Sequence, residues 1–322
     1  MTGTVLILGA NGRFGRAATQ AFFANGWDVR AASRTGTGTY AAGVRGIACD
    51  VSDRNAVIQA AKGADVIVHA IHPPYTDWAE LLPVYSANVI AAGLSCGATV
   101  MIAGNVYSFG EDAPVVLRED AAPTPSTRKG VLRVTMERTF ADAAQQGLRT
   151  IILRCGDFFE GTATGNWFED HMVNKVDKGV FMYPGRMDAV HAWAYLPDVG
   201  RALAGLADKR ADLPMFSSIG FEGFSLTGAE LKAAVERAAG RSLKVKSMPW
   251  MILRLMGVFS PLMREVIEMR YLWNKPHRID GAPLRAILPE FQSTSLSTAM
   301  VDALSLSQVS AGKSVISKTR TA

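Results

Sequence analysis

The sequence has few of the features that mark secreted, membrane-spanning or metal-binding proteins. Three cysteines in 322 residues, spaced far apart, exclude a disulfide framework and indicate buried thiols in a reducing compartment. The longest apolar stretch, residues 250–263, is broken by Arg254 and Pro261 and is shorter than the roughly 20 apolar residues of a membrane span. No basic segment or cleavage site precedes the strand-like Val5–Leu8, and no His, Cys or Asp grouping has metal-ligand spacing. We therefore expect a soluble cytoplasmic protein without a bound metal.

Charge is also low, and neither sign dominates. The 34 Lys and Arg residues and 29 Asp and Glu residues give a net charge of +5, and the basic residues are scattered. This distribution favours attraction to a phosphorylated small molecule over binding to nucleic acid. The expected partner is a small-molecule substrate, with no nucleic acid and no membrane, and a homodimer is left open.

Apolar runs alternate with helical patterns through the first 154 residues, which is typical of βαβ units around a parallel sheet. Several of the candidate strands are nearly all apolar, as strands covered on both faces are. These strands are Thr4–Leu8, Asp28–Ala32, Gly46–Cys49, Asp65–Ala70, Thr99–Ala103 and Leu148–Arg154. The sequence therefore predicts an α/β fold.

Local signals predict helices beyond residue 155. One helix is expected near Trp167–Lys178, and Thr227 with Glu230 forms a capping box that opens another. Residues 249–272 indicate a long helix or a helix pair, broken near Ser260 and Pro261.

The strongest functional signal is a glycine-rich turn between the first strand and the first helix. Gly9 permits the tight turn, Gly12 lets the backbone approach a pyrophosphate, and Gly15 lets the helix pack closely on the strand. The helix N-terminus then presents unpaired N–H groups to the phosphates. The alternative is a structural turn without a ligand, but the βαβ context favours a dinucleotide site.

The end of the second strand bears on the choice of nucleotide. An NAD site usually has an acidic residue there, whereas this chain has Ser33 and Arg34. A hydroxyl and a guanidinium would receive a 2′-phosphate, and Arg13 could add a second cation. NADP is therefore the expected cofactor, unless Arg34 is only a solvated loop residue. Asp50, at the end of the third strand, is placed to touch the adenine amino group.

These motifs together resemble the extended short-chain dehydrogenase/reductase superfamily, which contains nucleotide-sugar epimerases and many ketone reductases. The resemblance also covers the strand exits 68–71 and 103–110, Leu153-Arg154, and residues 191–198. It implies a doubly wound parallel sheet (Rossmann) with a smaller C-terminal substrate domain. We assign residues 1–155 to the dinucleotide-binding domain, with segments near 190–220 returning to it, residues 156–305 mostly to the substrate domain, and 306–322 to a loose tail. The expected cofactor-binding residues are Gly9, Asn11, Gly12, Arg13, Phe14, Gly15, Ser33, Arg34, Asp50, Val51 and Ala70.

The catalytic signature of that superfamily is altered in this chain. Ala103 stands where a Ser or Thr is expected, and Lys129 and Arg133 replace the Tyr and Lys of Tyr-x-x-x-Lys. This pattern is similar to isoflavone and phenylcoumaran ether reductases, where a Lys occupies the tyrosine position. Spacing of four places Lys129, Arg133 and Glu137 on one helical stripe, which either faces the nicotinamide or forms an exposed charge ladder.

Three further residues are candidates near the expected nicotinamide. Tyr107 could supply the missing phenol, or it could simply pack under its loop, and His72 has a side chain that titrates near neutral pH. His69, inside its strand, is expected to be a packed core residue. The candidate catalytic residues are Lys129, Tyr107, Arg133 and His72.

The sequence thus predicts an NADP(H)-dependent oxidoreductase of the atypical extended short-chain type acting on a small carbonyl or related substrate. Two alternatives stay open. One is an NAD(P)-dependent nucleotide-sugar epimerase or dehydratase, and the other is a non-catalytic NADP-binding redox sensor. The substrate itself is not readable from the sequence.

Overall fold

Strands and helices alternate through the first 154 residues, as the apolar pattern predicts. The computed structural model describes residues 3–162 and 165–305; the predicted tail, 306–322, lies outside the described residues. The strands are β1 (Thr4–Leu8), β2 (Asp28–Ser33), β3 (Arg45–Ala48), β4 (Val66–His69), β5 (Thr99–Gly104), β6 (Val116–Leu117), β7 (Thr150–Arg154), β8 (Asp157–Phe159), β9 (Val180–Tyr183), β10 (Val190–Tyr195), β11 (Phe216–Gly220), β12 (Phe224–Thr227), β13 (Lys244–Ser247) and β14 (Arg278–Ile279). The helices are α1 (Arg13–Ala24), α2 (Arg54–Ala61), α3 (Trp78–Cys96), α4 (Arg128–Ala143), α5 (Leu196–Asp208), α6 (Gly228–Ala239), α7 (Trp250–Gly257), α8 (Pro261–Glu268) and α9 (Ala282–Ile287), and residues 296–305 are also helical.

The chain forms two compact units. The first contains the described residues up to Cys155 together with Leu196–Phe221 and Asp280–Phe291. The second contains Gly156–Tyr195, Glu222–Ile279 and the described residues from Gln292 onward. The chain therefore leaves the first unit and returns to it twice.

The first unit is built on a seven-stranded parallel sheet with the order β11-β7-β5-β4-β1-β2-β3. Leu8, at the end of β1, pairs with Ala32 of β2 on one side and with His69 of β4 on the other. The strand order thus reverses between β1 and β4. Residues Val5–Leu8 of β1 are completely buried. This is the predicted doubly wound sheet, and ligands of such sheets bind beyond the carboxyl ends of the strands at the reversal.

Helix α3 is long and unusually apolar. With the preceding turn it spans Tyr75–Cys96, the one segment in the described part of the chain that is long and apolar enough to cross a membrane. In the first unit, however, α3 packs between α2 and α4 and against β5. Its apolar composition is accounted for by this layer of helices covering the sheet.

The second unit contains a three-stranded sheet, β12-β10-β8, and the pair β13-β9. The predicted capping box is confirmed, since the Thr227 side chain accepts from the Glu230 N–H while the Glu230 carboxylate accepts from the Thr227 N–H. The break in residues 249–272 is also confirmed, because α7 ends before Ser260 and α8 begins at Pro261.

The continuous helix predicted near Trp167–Lys178 is wrong. The segment forms a π-helical turn over Phe168–Met172 and a 3₁₀ turn over Val176–Lys178. Phe168, Met172 and Val176 are all buried at a spacing of four, so the apolar residues have an α-helical period although the backbone does not form a continuous α-helix. Packing into an aromatic core, shared with Phe159 and Trp193, replaces the continuous backbone hydrogen bonds of a helix.

Candidate functional site

The glycine-rich turn has the geometry of a phosphate cradle. Gly9 has a φ of +83°, and the N–H groups of Gly9 and Ala10 both donate to the Ala32 carbonyl at 3.0 Å, which fastens the turn to β2. A Cβ on Gly15 would collide with the Gly9 carbonyl oxygen, so the close approach of α1 to β1 requires glycine there. The N-cap of α1 is Gly12, which offers no side-chain cap, and the N-terminal end of the helix, with its partial positive charge, lies at the turn.

The surroundings of Gly12 fit a dinucleotide phosphate. A Cβ at this position would lie 3.2 Å from the Gly9 oxygen and 3.9 Å from the Ala70 oxygen, which places Gly12 between the ends of β1 and β4. The Phe14 side chain is buried. Arg13, next to Gly12, is partly exposed. The residues of the turn therefore fit the group that the sequence predicts.

The loop after β2 folds toward the glycine turn. The Asn11 amide donates to the Thr37 carbonyl at 2.8 Å, and its oxygen accepts from the Tyr40 hydroxyl at 2.7 Å. Ser33 donates its hydroxyl to the same Thr37 carbonyl at 3.2 Å. Arg34 is exposed at the start of this loop. A guanidinium is thus available near the turn, whereas the Ser33 hydroxyl is already engaged.

Asp50 and Val51 follow β3 on the same side of the sheet. Asp50 is exposed, and its carboxylate accepts from the Ser52 N–H at 2.9 Å and from the Ser52 hydroxyl at 2.7 Å. These two hydrogen bonds, with the charge of Arg34, hold the pKa of Asp50 below its usual value. The carboxylate is therefore ionised and oriented by its own turn, while the Val51 side chain is buried.

Lys129 and Arg133 do not form an exposed charge ladder. Lys129 is completely buried and Arg133 is 6% exposed. Thr127 caps α4 by accepting from the Gly130 N–H at 3.1 Å, and a Cβ on Gly130 would collide with the Tyr107 carbonyl oxygen. The first turn of α4 is therefore packed against the loop that follows β5, and both cations point into protein.

Two tyrosines meet beside these cations. The Tyr75 and Tyr107 hydroxyls lie 3.1 Å apart, and the Lys129 Nζ is 5.2 Å from the centroid of the Tyr75 ring. Tyr107 is 8% exposed, and its N–H donates to the Asn105 side chain at 3.1 Å. The indole N–H of Trp78 donates to the Pro73 carbonyl at 3.1 Å, which holds the loop that carries Tyr75.

Sequence reasoning missed Tyr75. It lies six residues beyond the end of β4, in a loop whose path no local motif specifies. Nothing in the sequence placed Tyr75 next to Tyr107.

Arg133 is held by the strand that normally carries the missing hydroxyl. Its Nη2 donates to the Ala103 carbonyl at 2.9 Å and its Nη1 to the Met136 sulfur at 3.6 Å. Its Nε is buried and has no hydrogen-bond partner. Burial lowers the pKa of Arg133, and Glu137, Tyr107 and Tyr75 oppose that effect. A ligand hydroxyl or phosphate oxygen is the kind of group that would satisfy this donor.

A buried ion pair supports the loop after β5. Arg154 donates to both carboxylate oxygens of Glu137, at 2.7 and 3.2 Å, and to the Asn105 carbonyl at 2.7 Å. Ser108 completes the group by donating to Glu137 at 3.4 Å. Glu137 and Arg154 therefore hold the loop on both sides of Tyr107, at Asn105 and Ser108.

The two histidines near the end of β4 differ in environment. His69 is buried, and burial followed by the charge of Arg133 lowers its pKa to about 4, so its imidazole is neutral and packed in the core as predicted. His72 is exposed, and its ring lies 5.3 Å from that of Tyr75. The surrounding protein, and then the charges of Arg133 and Arg13, lower the pKa of His72 as well. The His72 ring packs edge-on against that of Tyr75.

The second unit has a separate polar pair. His191 and Asp157 lie 2.7 Å apart between Nε2 and Oδ2, and His191 stacks on Trp273 with ring centroids 4.3 Å apart. Both His191 and Trp193 are buried. Across residues 3–162 and 165–305, no group of three or more His, Cys, Asp or Glu is placed to hold a metal ion.

Comparison with solved structures supports the fold. The chain superposes on MoeE5 in complex with UDP-glucose and NAD with a TM-score of 0.75 and 18% identity, covering 96% of this chain and 99% of that one. It superposes on UDP-N-acetylglucosamine 4-epimerase from Bacillus cereus with a TM-score of 0.74 and 13% identity, covering 95% and 99%. A GalE-like L-threonine dehydrogenase from Cupriavidus necator, in its holo form, gives 0.74 and 18%, covering 94% and 99%.

A search of curated proteins finds no match. Residues 5–216 match the sequence model of the NAD dependent epimerase/dehydratase family, a span that contains the glycine turn, both tyrosines and the buried cations. The chain belongs to the NAD dependent epimerase/dehydratase family.

Proposed function

We propose that the chain is an NADP(H)-dependent oxidoreductase that reduces a small carbonyl compound, with Tyr107 as proton donor. The observation that carries the proposal is the pair of phenols, 3.1 Å apart, beside buried Lys129 and Arg133. This group combines a phenol from a loop, which the altered motif lacks, with the two cations that the motif carries on α4. The enzyme would be cytoplasmic, with a small-molecule substrate and no nucleic-acid partner.

A bound nicotinamide dinucleotide supplies the hydride for such a reduction. Tyr107 donates its phenolic proton to the carbonyl oxygen, and the positive charges of Lys129 and Arg133 stabilise the phenolate that results. Tyr75, hydrogen-bonded to Tyr107 and partly exposed, passes a proton back from solvent. Asn105, Glu137 and Arg154 keep Tyr107 in place during this exchange.

The hydrogen bond that links buried Tyr107 to partly exposed Tyr75 favours a reductase. A net reduction takes one proton from solvent in every turnover, and Tyr107 alone is too buried to recover it. An epimerase removes a proton from its substrate and returns it, so it has no need of a second phenol toward solvent. The Tyr75–Tyr107 hydrogen bond therefore fits net reduction better than internal transfer.

The proposed preference for NADP rests on Arg34. It is exposed at the end of β2, where an NAD site usually has an acidic residue, and Asp50 is held by Ser52. Gly9, Gly12 and Gly15 would hold the pyrophosphate against the start of α1. Arg133, through its unpartnered Nε, would hold the nicotinamide half.

A nucleotide-sugar epimerase is the second candidate, and a specific observation favours it. The family includes epimerases, and MoeE5, which shares this fold, was solved with UDP-glucose and NAD. Against it stands the replacement of the usual Tyr and Lys by Lys129 and Arg133.

One assay separates these functions. The purified chain is mixed with NADPH or NADH and a panel of small aldehydes and ketones, and absorbance at the nicotinamide band is followed; the same chain is incubated with UDP-sugars and NAD. Consumption of NADPH that requires a carbonyl compound supports the proposal. An isomerised sugar with unchanged cofactor supports the epimerase instead. Tight binding without turnover on either panel contradicts both and leaves the redox sensor.

A further inference from the structure

A pair of helices in the second unit exposes an apolar surface that the proposed function does not use. Residues 250–268, here called the apolar hairpin, contain α7, a short connection and α8. Phe259 is 87% exposed, Met251 85%, Leu255 70% and Val258 65%. Ile252, Met256 and Leu262 are exposed as well. Seven large apolar side chains in twelve residues are far more than the scattered exposure usual for a soluble surface.

The opposite side of the hairpin is packed and ordered. Trp250 is buried, and its indole N–H donates to the Pro184 carbonyl at 2.6 Å. Ser260 caps α8 by accepting from the Met263 N–H at 3.4 Å, and Gly257 is buried where the two helices cross. The exposed face is therefore a built feature: one side of the hairpin is anchored to the unit, and the other presents apolar side chains to water.

Charge around the hairpin is predominantly positive. Residues 241–278 contain eight Lys and Arg but only two acidic residues, in a chain whose total net charge is +5. The two acidic residues are Glu265, which is buried, and Glu268, which is half-buried. Arg254 and Arg264 are exposed on the hairpin itself. An exposed apolar face beside arginines is the pattern of a helix that lies in the interface of an anionic membrane.

We propose that the apolar hairpin binds the surface of an anionic lipid bilayer. Phe259, in the connection between the helices, and the neighbouring Met251 and Leu255 would enter the acyl boundary, while Arg254 and Arg264 pair with lipid phosphates. This inference is independent of the proposed reaction. It replaces the expectation, drawn from composition alone, that the protein has no membrane partner.

A second copy of the chain is a poorer occupant of this face. A two-fold interface brings a patch against the same patch of the partner. Here that would bring Arg254 and Arg264 of the two copies near one another, and the repulsion between these like charges is unfavourable. Anionic lipid removes that repulsion and covers the apolar side chains at the same time.

The test is co-sedimentation of the full chain with vesicles of phosphatidylcholine, with and without phosphatidylglycerol. The wild-type chain is expected to sediment with the anionic vesicles at low salt, and less at high salt. Changing Met251, Leu255 and Phe259 to Ser should lower the partition coefficient at least about tenfold, since each exposed side chain contributes through buried apolar area. Arg254→Gln with Arg264→Gln should also lower it about tenfold, through loss of lipid attraction.

The matched control changes three exposed apolar residues elsewhere, Val115, Met215 and Val301, to Ser, and it should bind as the wild type does. Circular dichroism and sedimentation velocity are recorded for every variant. The proposal is overturned if the wild-type chain stays in the supernatant with anionic vesicles, or if the hairpin variants bind as well as the control. It is also overturned if the wild-type chain and the control are dimers, the hairpin variants are monomers, and none of these proteins binds lipid.

Discussion

In the proposed reduction, either Tyr107 or Lys129 is the proton donor. Tyr107 hydrogen-bonds to a second phenol, while Lys129 lies over the face of Tyr75 and is completely buried. In the proposed mechanism Tyr107 is the residue that exchanges its proton, through its hydrogen bond to Tyr75. The chemistry of the site therefore depends on atoms that the sequence brings from three separate segments.

We expect Tyr107→Phe to lower kcat for carbonyl reduction by ~10²–10⁴-fold, the usual contribution of general acid catalysis. NADPH affinity should stay within about threefold, because the phenol acts on the substrate. Tyr85→Phe, on α3, is the control and should leave kcat unchanged. Steady-state kinetics and fluorescence titration measure the two quantities. If Lys129→Met lowers kcat by this factor while Tyr107→Phe does not, Lys129 is the donor.

Arg34 governs the proposed nucleotide preference. Arg34→Ala should cost on the order of 1–3 kcal/mol of NADPH binding free energy, the range of a charge-assisted hydrogen bond, and should leave NADH affinity nearly unchanged. Arg54→Ala, at the exposed start of α2, is the matched control. Calorimetric titration with both nucleotides decides the matter, and equal losses for both would remove Arg34 from the 2′-phosphate site.

At the level of single residues, the sequence predicted part of the candidate site. The spacing of four correctly placed Lys129 and Arg133 on the same side of α4, since helical geometry is local. It could not decide whether that side was buried, because burial depends on the loop after β5 reaching the first turn of the helix. Tyr75 was missed for the same reason: its position is set by packing against Trp78 and Tyr107, not by a motif.

Among the elements, the glycine turn and α1 are the best predicted and the easiest to disrupt. Gly12→Val would put a branched side chain where a pyrophosphate must approach the backbone. We expect it to abolish binding of NADPH and NADH alike, with the helix content unchanged, because a Cβ there is 3.2 Å from the Gly9 oxygen and needs only a small adjustment.

The measurement is equilibrium dialysis of both nucleotides, together with circular dichroism. Ala24→Val, at the far end of the same helix, tests whether any valine on α1 has this effect. Retained nucleotide binding in the Gly12 variant would place the cofactor elsewhere.

Elements defined by local chemistry were predicted well, and those defined by long-range packing were not. Thr227 with Glu230, and Ser260 with Pro261, fix a helix start and a helix break through their own backbone geometry. Residues 167–178 carry a helical period, yet the segment is divided into two short turns by the aromatic core around Phe168. A period of apolar residues shows which side chains are buried, but it does not show which backbone conformation buries them.

For the whole molecule, pH dependence of stability has one clear source in the second unit. Glu169 is 6% exposed, accepts from the Glu160 N–H at 2.8 Å, and has its second oxygen buried without a partner. Burial raises its pKa from 4.5 to about 7. The folded chain therefore binds a proton there that the unfolded chain releases above pH 4.5, and this group makes the free energy of unfolding fall as the pH rises from 4.5 to about 7.

Glu169→Gln should remove this slope. The variant is expected to gain stability over the wild type between pH 5 and pH 8, by up to about 3 kcal/mol, because each unit of pKa corresponds to about 1.4 kcal/mol. Urea unfolding at the two pH values measures the difference. Glu290→Gln, which replaces an exposed carboxylate, is the control. It should change the free energy of unfolding by the same amount at both pH values. If the free energies of unfolding of Glu169→Gln and the wild type differ by the same amount at both pH values, Glu169 is ionised in the folded chain and the prediction is wrong.

The central strand order has a consequence for synthesis on the ribosome. β7 ends at Arg154 and is completely buried, but its outer neighbour β11 is made only after residues 156–215 have been translated. Until then the nascent chain has an open strand edge whose backbone groups and apolar side chains are free to pair with another chain. A polypeptide released at Cys155 is therefore expected to aggregate, whereas one extended through Phe221 has the strand that closes this edge.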